Sequence, residues 1–278
     1  MRRSRVTITL NQHTLQQIDQ FVDKKKIRNR SHAIEYILGH FLKPKVKKAV
    51  ILAGGQGTKL RPYTYEIPTA LLPVKGKLLL EHLLDKLREA GITEIILSIG
   101  HLGDKIKTHF GNGEKYGVSI TYSEEVTPLQ TGGALLKLKK LINKETFVVV
   151  HGDILTNISF RDLIEFHIKE GSIGTVALAA VNRPDMFGQL TLQGTKLTQF
   201  YQRRSGRDIK SYLVNCGIYI FEPTIFDHFP KNETMFNLED IIESLIGQKK
   251  INGFVFEGQW FDVGNPQNYE QAIKEFRG

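Results

Sequence analysis

Five apolar residues, Ala49-Val50-Ile51-Leu52-Ala53, run without interruption into Gly54-Gly55-Gln56-Gly57, and Thr58-Lys59-Leu60-Arg61-Pro62 follows. The apolar run reads as a buried strand, and the glycines as the turn that leaves it. Glycines at 54, 55 and 57 leave backbone N–H groups uncovered by side chains, so a polyphosphate can rest against the main chain. Lys59 and Arg61 add two cations beside that turn. The spacing is neither the Gly-Lys-Ser/Thr phosphate loop nor the Gly-x-Gly-x-x-Gly dinucleotide fingerprint. Taken alone, it also fits an ordinary strand-to-helix turn.

Downstream, helical and strand patterns alternate. Helices are expected near 78–90, 103–110 and 132–141, with strands at 94–99, 118–122 and 147–150 between them. Later strands (175–181, 189–192, 213–221, 253–256, 259–263) mix with helices at 159–170, 238–247 and 266–276. This alternation predicts an α/β fold, a mostly parallel Rossmann-like sheet with helices on both faces.

Charge divides the chain. Residues 1–48 hold 12 Lys and Arg against Asp19, Asp23 and Glu35, whereas the remainder holds 26 of each sign. The whole net charge of +9 therefore belongs to the first forty-eight residues. A step this sharp marks a domain boundary and points to a polyanionic partner for the small domain. Within it, Arg5-Val6-Thr7-Ile8-Thr9-Leu10 alternates like a strand, and Asn11 can cap a helix carrying Leu15, Ile18, Phe21 and Val22. Asn29-Arg30-Ser31 opens a second helix with Ala33, Ile34, Ile37, Leu38 and Phe41 on its apolar side. One strand and two helices are too little to fold alone, and a dimer pairing two copies of the strand solves that.

This N-terminal segment resembles the ribbon-helix-helix DNA-binding domains. The resemblance implies a two-stranded ribbon in the major groove, with Arg5, Thr7 and Thr9 facing bases and Asn29, Arg30 and Ser31 meeting a phosphate. The expected organisation is a dimerising domain over 1–43, a basic linker over 44–48 and an α/β domain over 49–278. A dimerisation handle with a solvated basic face is the plainer alternative.

The remaining composition is restrictive. Cys216 is the sole cysteine, which excludes an intramolecular disulfide and a cysteine metal site. No apolar run approaches a membrane span and no signal-peptide pattern stands before the first strand, so the expected compartment is the cytoplasm. The nine histidines show no metal-ligand spacing and read as surface or incidental.

Residues 49–77, with Leu60-Arg61-Pro62-Tyr63-Thr64 and Ile67-Pro68-Thr69-Ala70-Leu71-Leu72-Pro73-Val74-Lys75-Gly76-Lys77 continuing the glycine turn, resemble the signature of sugar-1-phosphate nucleotidyltransferases. The resemblance extends to about residue 270. It implies that a sugar-1-phosphate oxygen attacks the α-phosphate of a nucleoside triphosphate, with Ala53, Gly54, Gly55, Gln56, Gly57 and Thr58 holding the nucleotide and Lys59 at the reacting phosphates. His151-Gly152-Asp153 resembles the family's strand-ending Gly-Asp. Trp260-Phe261-Asp262-Val263-Gly264-Asn265-Pro266 resembles its late Asp-x-Gly-x-Pro. Asp153 and Asp262 are thereby implied as the pair that holds Mg²⁺. Pro128-Leu129-Gln130-Thr131-Gly132-Gly133-Ala134-Leu135 matches the segment that approaches the base, which brings in Gln130 and Gly132. Gly188, Gln202, Arg203 and Asn215 fall at sugar-binding positions.

Four positions depart from the family pattern. Lys59 stands for an arginine, Thr69 for the lysine of Pro-Lys, Gln202-Arg203-Arg204 for Glu-Lys-Pro, and Leu78 for the proline of Gly-Lys-Pro. Lys59 keeps a charge without the planar fork of arginine, whereas Thr69 keeps none. Lys75, Lys77 or Arg203 are the candidates to replace that charge. Two readings follow: a nucleotidyltransferase tied to DNA, or a catalytically impaired sensor of nucleotide or nucleotide sugar that regulates transcription.

Overall fold

The structure is a computed structural model that describes residues 7–23, 27–42, 46–202 and 209–277, with backbone only at 39–42. The chain divides into two compact units, Met1–Lys45 and Val46–Gly278.

In the first unit α1 spans Gln12–Gln20 and α2 spans Arg30–Leu42. Asn11 caps α1, its side chain accepting the Thr14 N–H at 2.8 Å, and Asn29 does the same for His32 at 2.9 Å. Arg30 is not held ready for a phosphate as expected. Its guanidinium forks onto Asp19 at 2.6 and 2.8 Å, tying α2 to α1. Residues 7–10 form no strand, and none of the described strands pairs with them. Thr7, Thr9 and Ser31 are exposed, while Arg5 lies outside the described residues. Only Ile18 and Ala33 are buried hydrophobics among the described residues of this unit; Ile8, Phe21 and Leu38 are about half exposed.

The second unit begins before the position expected. Val46 is buried and Lys48 opens β1 (Lys48–Ala53), so residues 46–48 of the expected linker belong to folded chain, while 44 and 45 lie outside the described residues. The Lys48 ammonium, itself mostly buried, donates to the carbonyls of Leu141 and Ile142 and faces Glu145 at 3.4 Å. The further strands are β2 (Pro73–Val74), β3 (Lys77–Leu78), β4 (Glu94–Ile99), β5 (Ser119–Glu124), β6 (Phe147–His151), β7 (Ile154–Thr156) and β8 (Gly174–Ala180). After them come β9 (Gln189–Gln193), β10 (Lys196–Tyr201), β11 (Leu213–Phe221), β12 (Ile251–Val255) and β13 (Trp260–Asp262). The helices are α3 (Leu79–Glu89), α4 (Gly103–Phe110), α5 (Gln130–Lys137), α6 (Lys139–Ile142), α7 (Phe160–Glu170), α8 (Leu238–Gly247) and α9 (Pro266–Glu275).

Among the described residues nine strands make one sheet in the order β5-β4-β1-β6-β11-β8-β12-β10-β9. The sheet is mixed rather than mostly parallel. β5, β4, β1 and β6 run parallel, but β11 is antiparallel to both β6 and β8, and β10 to both β12 and β9. The parallel expectation overlooked β10, which the Gly194-Thr195 turn joins to β9. Gly194 takes φ +61° there, and a two-residue connection can join only antiparallel neighbours.

Alternate residues of the central strands feed two cores. Ala49, Ile51, Val148, Val150, Ile218 and Ile220 face α3, α4 and α7. Val50, Phe147, Val149, Tyr219 and Phe221 face α5, α6 and α8. Both faces are covered, as the continuous apolar run of β1 requires. A third cluster, Leu60, Leu72, Leu79, Leu155, Val263 and Tyr269 among it, is smaller. It binds together the segments that carry Lys59, Asp153 and Asp262. No helix among the described residues is long and apolar enough to cross a membrane.

Candidate functional site

β1 stops at Ala53 on the edge of a cleft of about 1470 Å³, and the glycine turn forms one lip. Gly57 has φ +60°, and a Cβ there would stand 2.9 Å from Thr64 Cγ2 and 3.0 Å from Thr69 Oγ1. Thr64 Oγ1 donates to the Gly57 carbonyl at 2.6 Å, which fixes the turn. Nothing lies within 4 Å of where a Gly55 Cβ would be, so the main chain is bare on that side. Ala53, Gly55, Gly57, Thr58, Lys59 and Thr69 all line the cleft. Gly54 is turned away: a Cβ on it would meet Glu125 Oε1 at 2.5 Å. Gln56 is exposed and outside the lining.

Opposite the turn, Asp153 follows β6 and Asp262 ends β13. The antiparallel pair β7/β13 brings them together, and the Val263 N–H donates to the Asp153 carbonyl at 2.9 Å. The Asp262 carboxyl is pushed up to about 6, first by burial and then by the Asp153 carboxylate. The Gly264 N–H, donated to Asp262 Oδ1 at 2.8 Å, and the charges of His151 and Lys59 partly oppose that rise. Two neighbouring carboxylates, one of them buried, form a set of hard oxygen donors suited to a cation. No group of three or more His, Cys, Asp or Glu among the described residues could hold a metal. Two carboxylates would leave most of a cation's coordination to water or to ligand oxygens.

A second cavity of about 400 Å³ shares Asp153, Met186, Phe187, Trp260 and Asp262 with the first. Gly188, Gln202 and Asn215 line it, as do Thr131, His151, Asn237, Glu239 and Asp240. Gln202 Nε2 donates to Asp240 at 2.8 Å and to Glu243 at 3.0 Å. Asn215 shapes a bulge in β11: it accepts the Gly217 N–H at 3.0 Å and donates to Tyr219 Oη at 2.8 Å. At Gly188 the ring of Phe200 fills the space a Cβ would take.

Several expected residues lie elsewhere. The Gly132 N–H donates to the Phe236 carbonyl at 2.9 Å, the Phe236 ring fills the space a Cβ would take, and Gly132 lines neither cavity. Gln130 is exposed at φ +60° at the start of α5, outside both cavities. Lys75 donates to the Lys274 carbonyl and Lys77 pairs with Asp85, so neither reaches the cleft. Arg203 lies outside the described residues. Arg183, which the sequence did not single out, lines the cleft with Lys59. Glu239 was missed too; Thr131 Oγ1 donates to it at 2.9 Å and accepts the Leu238 N–H. Asn237-Leu238-Glu239-Asp240 looks like a helix start with acidic first-turn residues, and nothing local marks those acids as part of a cavity.

The profile of the family described as nucleotidyl transferase matches residues 48–277. The chain belongs to that family. Among its relatives, the D-glycero-α-D-manno-heptose 1-phosphate guanylyltransferase of Aneurinibacillus thermoaerophilus is 32% identical over 230 residues, covering 83% of this chain and 98% of that one. The mannose-1-phosphate guanylyltransferase of Mycobacterium tuberculosis is 31% identical over 224 residues, and this chain spans 62% of its length. HddC of Yersinia pseudotuberculosis, solved with GMP-PN, superposes with a TM-score of 0.68 at 26% identity, over 82% of this chain and 99% of that one. A Bacillus anthracis protein provisionally assigned as a glucose-1-phosphate thymidylyltransferase gives 0.75 at 26%, over 83% and 97%. The nucleotidyltransferase kinship is thus to enzymes of sugar 1-phosphates. The matched region starts at β1 and takes in none of the first unit.

Proposed function

We propose that the second unit transfers a nucleotidyl group from a nucleoside triphosphate to a sugar 1-phosphate. An oxygen of the sugar phosphate attacks the α-phosphorus, the bond from that phosphorus to the bridging oxygen breaks, and pyrophosphate leaves. The observation that carries this reading is the convergence of the glycine turn, Lys59, Asp153 and Asp262 on one cleft. The bare N–H groups of the turn seat the phosphates, and Lys59 lies across from Asp262 to meet their charge. Asp153 and Asp262 would hold Mg²⁺, which when bound offsets charge on the reacting phosphates. The smaller cavity takes the sugar. Guanosine triphosphate is the first nucleotide to try, because the relatives named above include two guanylyltransferases.

The test is pyrophosphate release with Mg²⁺ across a panel of nucleoside triphosphates and sugar 1-phosphates, with Asp153→Ala as control. Turnover lost in the control supports the reading. Saturable nucleotide binding without turnover favours the second one, a sensor, for which Thr69 speaks: it puts a neutral hydroxyl beside Gly57 where a lysine is usual in the family the sequence resembles.

For the first unit we propose a homodimer that binds DNA. Its support is the concentration of net charge before residue 49 and the exposure of Ile8, Leu10, Phe21 and Leu38, which a second copy would cover. Light scattering gives the oligomeric state. Binding to duplex DNA over a salt series gives the contact charge, and affinity that ignores salt would refute the proposal.

A further inference from the structure

His151 stands between the two halves of the site and has no part in the transfer described above. It ends β6, two residues before Asp153, and its imidazole lines the smaller cavity. Its ring rests on Gly217, whose φ is +67°; a Cβ at that glycine would stand 2.8 Å from His151 Nδ1. The Tyr219 ring flanks it, with centroids 5.7 Å apart. The β11 bulge, held open by Asn215, is what makes room for this imidazole.

The polar side chains around it are differently placed. Gln202 is bonded to Asp240 and Glu243, Asn215 to Tyr219 and Gly217, and Thr131 to Glu239 and Leu238. Trp260 Nε1 donates to the Cys216 carbonyl at 2.9 Å. His151 Nε2, by contrast, is buried with no hydrogen-bond partner. Buried polar atoms are nearly always paired, and an unpaired one on a residue that lines a cavity is a candidate partner for what the cavity holds. An imidazole nitrogen both fits and orients a hydroxyl, which can donate or accept.

Resting on the transferase reading, we infer that His151 determines sugar specificity: its free ring nitrogen pairs with one ring hydroxyl of the sugar phosphate. A site built to bond a hydroxyl rejects the analogue lacking it, because the protein group is then left buried and unpaired. An apolar side chain in its place would be indifferent to that hydroxyl.

The test compares the natural protein with His151→Leu and His151→Asn on a sugar 1-phosphate and its monodeoxy series. Pyrophosphate release gives kcat and KM. Trp260, the single tryptophan of the chain and a wall of both cavities, gives nucleotide-sugar binding by fluorescence. The natural protein should discriminate against one monodeoxy sugar by about tenfold or more in kcat/KM. His151→Leu should raise KM for the intact sugar by a similar factor, lose that one discrimination, and bind nucleotide alone as before. His151→Asn, which keeps a polar group, should recover part of both. If the natural protein turns over and His151→Leu keeps the same deoxy-sugar profile, the inference fails while the transferase reading stands. If the natural protein neither turns over nor binds any nucleotide sugar, the transferase reading fails and takes the inference with it. Should His151→Leu not fold, equal loss across the deoxy series in His151→Asn and the natural protein overturns the inference instead.

Discussion

The Val263 N–H donates to the backbone carbonyl of Asp153 at 2.9 Å. That bond closes the ribbon of β7 and β13, and it sets the Asp153 and Asp262 carboxylates close enough to raise the proton affinity of Asp262. The site is thus assembled by a two-stranded ribbon outside the main sheet. Its hydrophobic backing is the third core cluster, in which Leu155 and Val263 pack with Leu60.

The first prediction concerns pH. With its carboxyl at about 6, folded Asp262 keeps a proton that the unfolded chain releases near pH 4. Its contribution to stability is therefore complete below about pH 4 and is lost as pH rises through about 6. Mg²⁺ needs the ionised form, so its affinity should fall as pH drops from about 7 to about 5. Calorimetric Mg²⁺ titrations at several pH values check this; an affinity flat across that range would refute it.

Thr69→Lys places an ammonium beside Gly57, on the wall of the cleft that carries Lys59. One charge-assisted contact to a developing transition state is worth on the order of 3 kcal/mol, about 100-fold in rate. The variant should turn over at least ~10-fold faster than the natural protein in pyrophosphate release. An unchanged or lower rate would show that Lys59 and Arg183 already supply what the reaction needs.

Gly57→Ala should unseat the turn. The left-handed φ costs about 1–2 kcal/mol for any residue with a Cβ. The new methyl also presses on Thr64 and Thr69 at 2.9 and 3.0 Å. Weaker nucleotide binding, about tenfold, should accompany a lowered melting temperature. Gly55→Ala, with open space and no positive φ, serves as the comparison and should melt like the natural protein.

His167 makes a stability prediction of its own. Burial holds it below its ordinary pKa, and its bond to Glu222 at 3.1 Å opposes that only in part. The folded state binds the proton less readily than the unfolded chain, so stability is full above about pH 6.5 and falls as pH drops below it. His167→Gln should flatten the acid side of a melting-temperature profile between about pH 5 and 7. A profile with the same slope as the natural protein would exclude His167 as its cause.

Local sequence carried much of this molecule. The apolar run of β1, the glycine turn and the Asn11 cap were legible because each depends on near neighbours: strand continuity, bare backbone, a side chain reaching three residues on. Asp153 and Asp262 were singled out by the resemblance of their motifs to a known family. What misled was equally local. Gly132 read as a glycine beside the base, yet Phe236, from a distant segment, fills the space beside it and Gly132 lines neither cavity. Arg30 read as a free cation until Asp19 met it across the helix pair.

The sequence by itself determined that a buried strand feeds a glycine-rich turn with bare main chain, that Asp153 and Asp262 stand in motifs resembling those of a known family, and that the whole net charge lies in residues 1–48. Tertiary structure decided the rest. It made the sheet mixed, put Glu239 and Asp240 on the wall of the smaller cavity, and turned His151 from an incidental histidine into a lining group with an unpaired nitrogen. The physical reason is range. Caps, turns and strand periodicity are settled within a few residues, whereas whether a polar atom is paired, buried or facing a cavity depends on side chains that only folding brings within 3 Å.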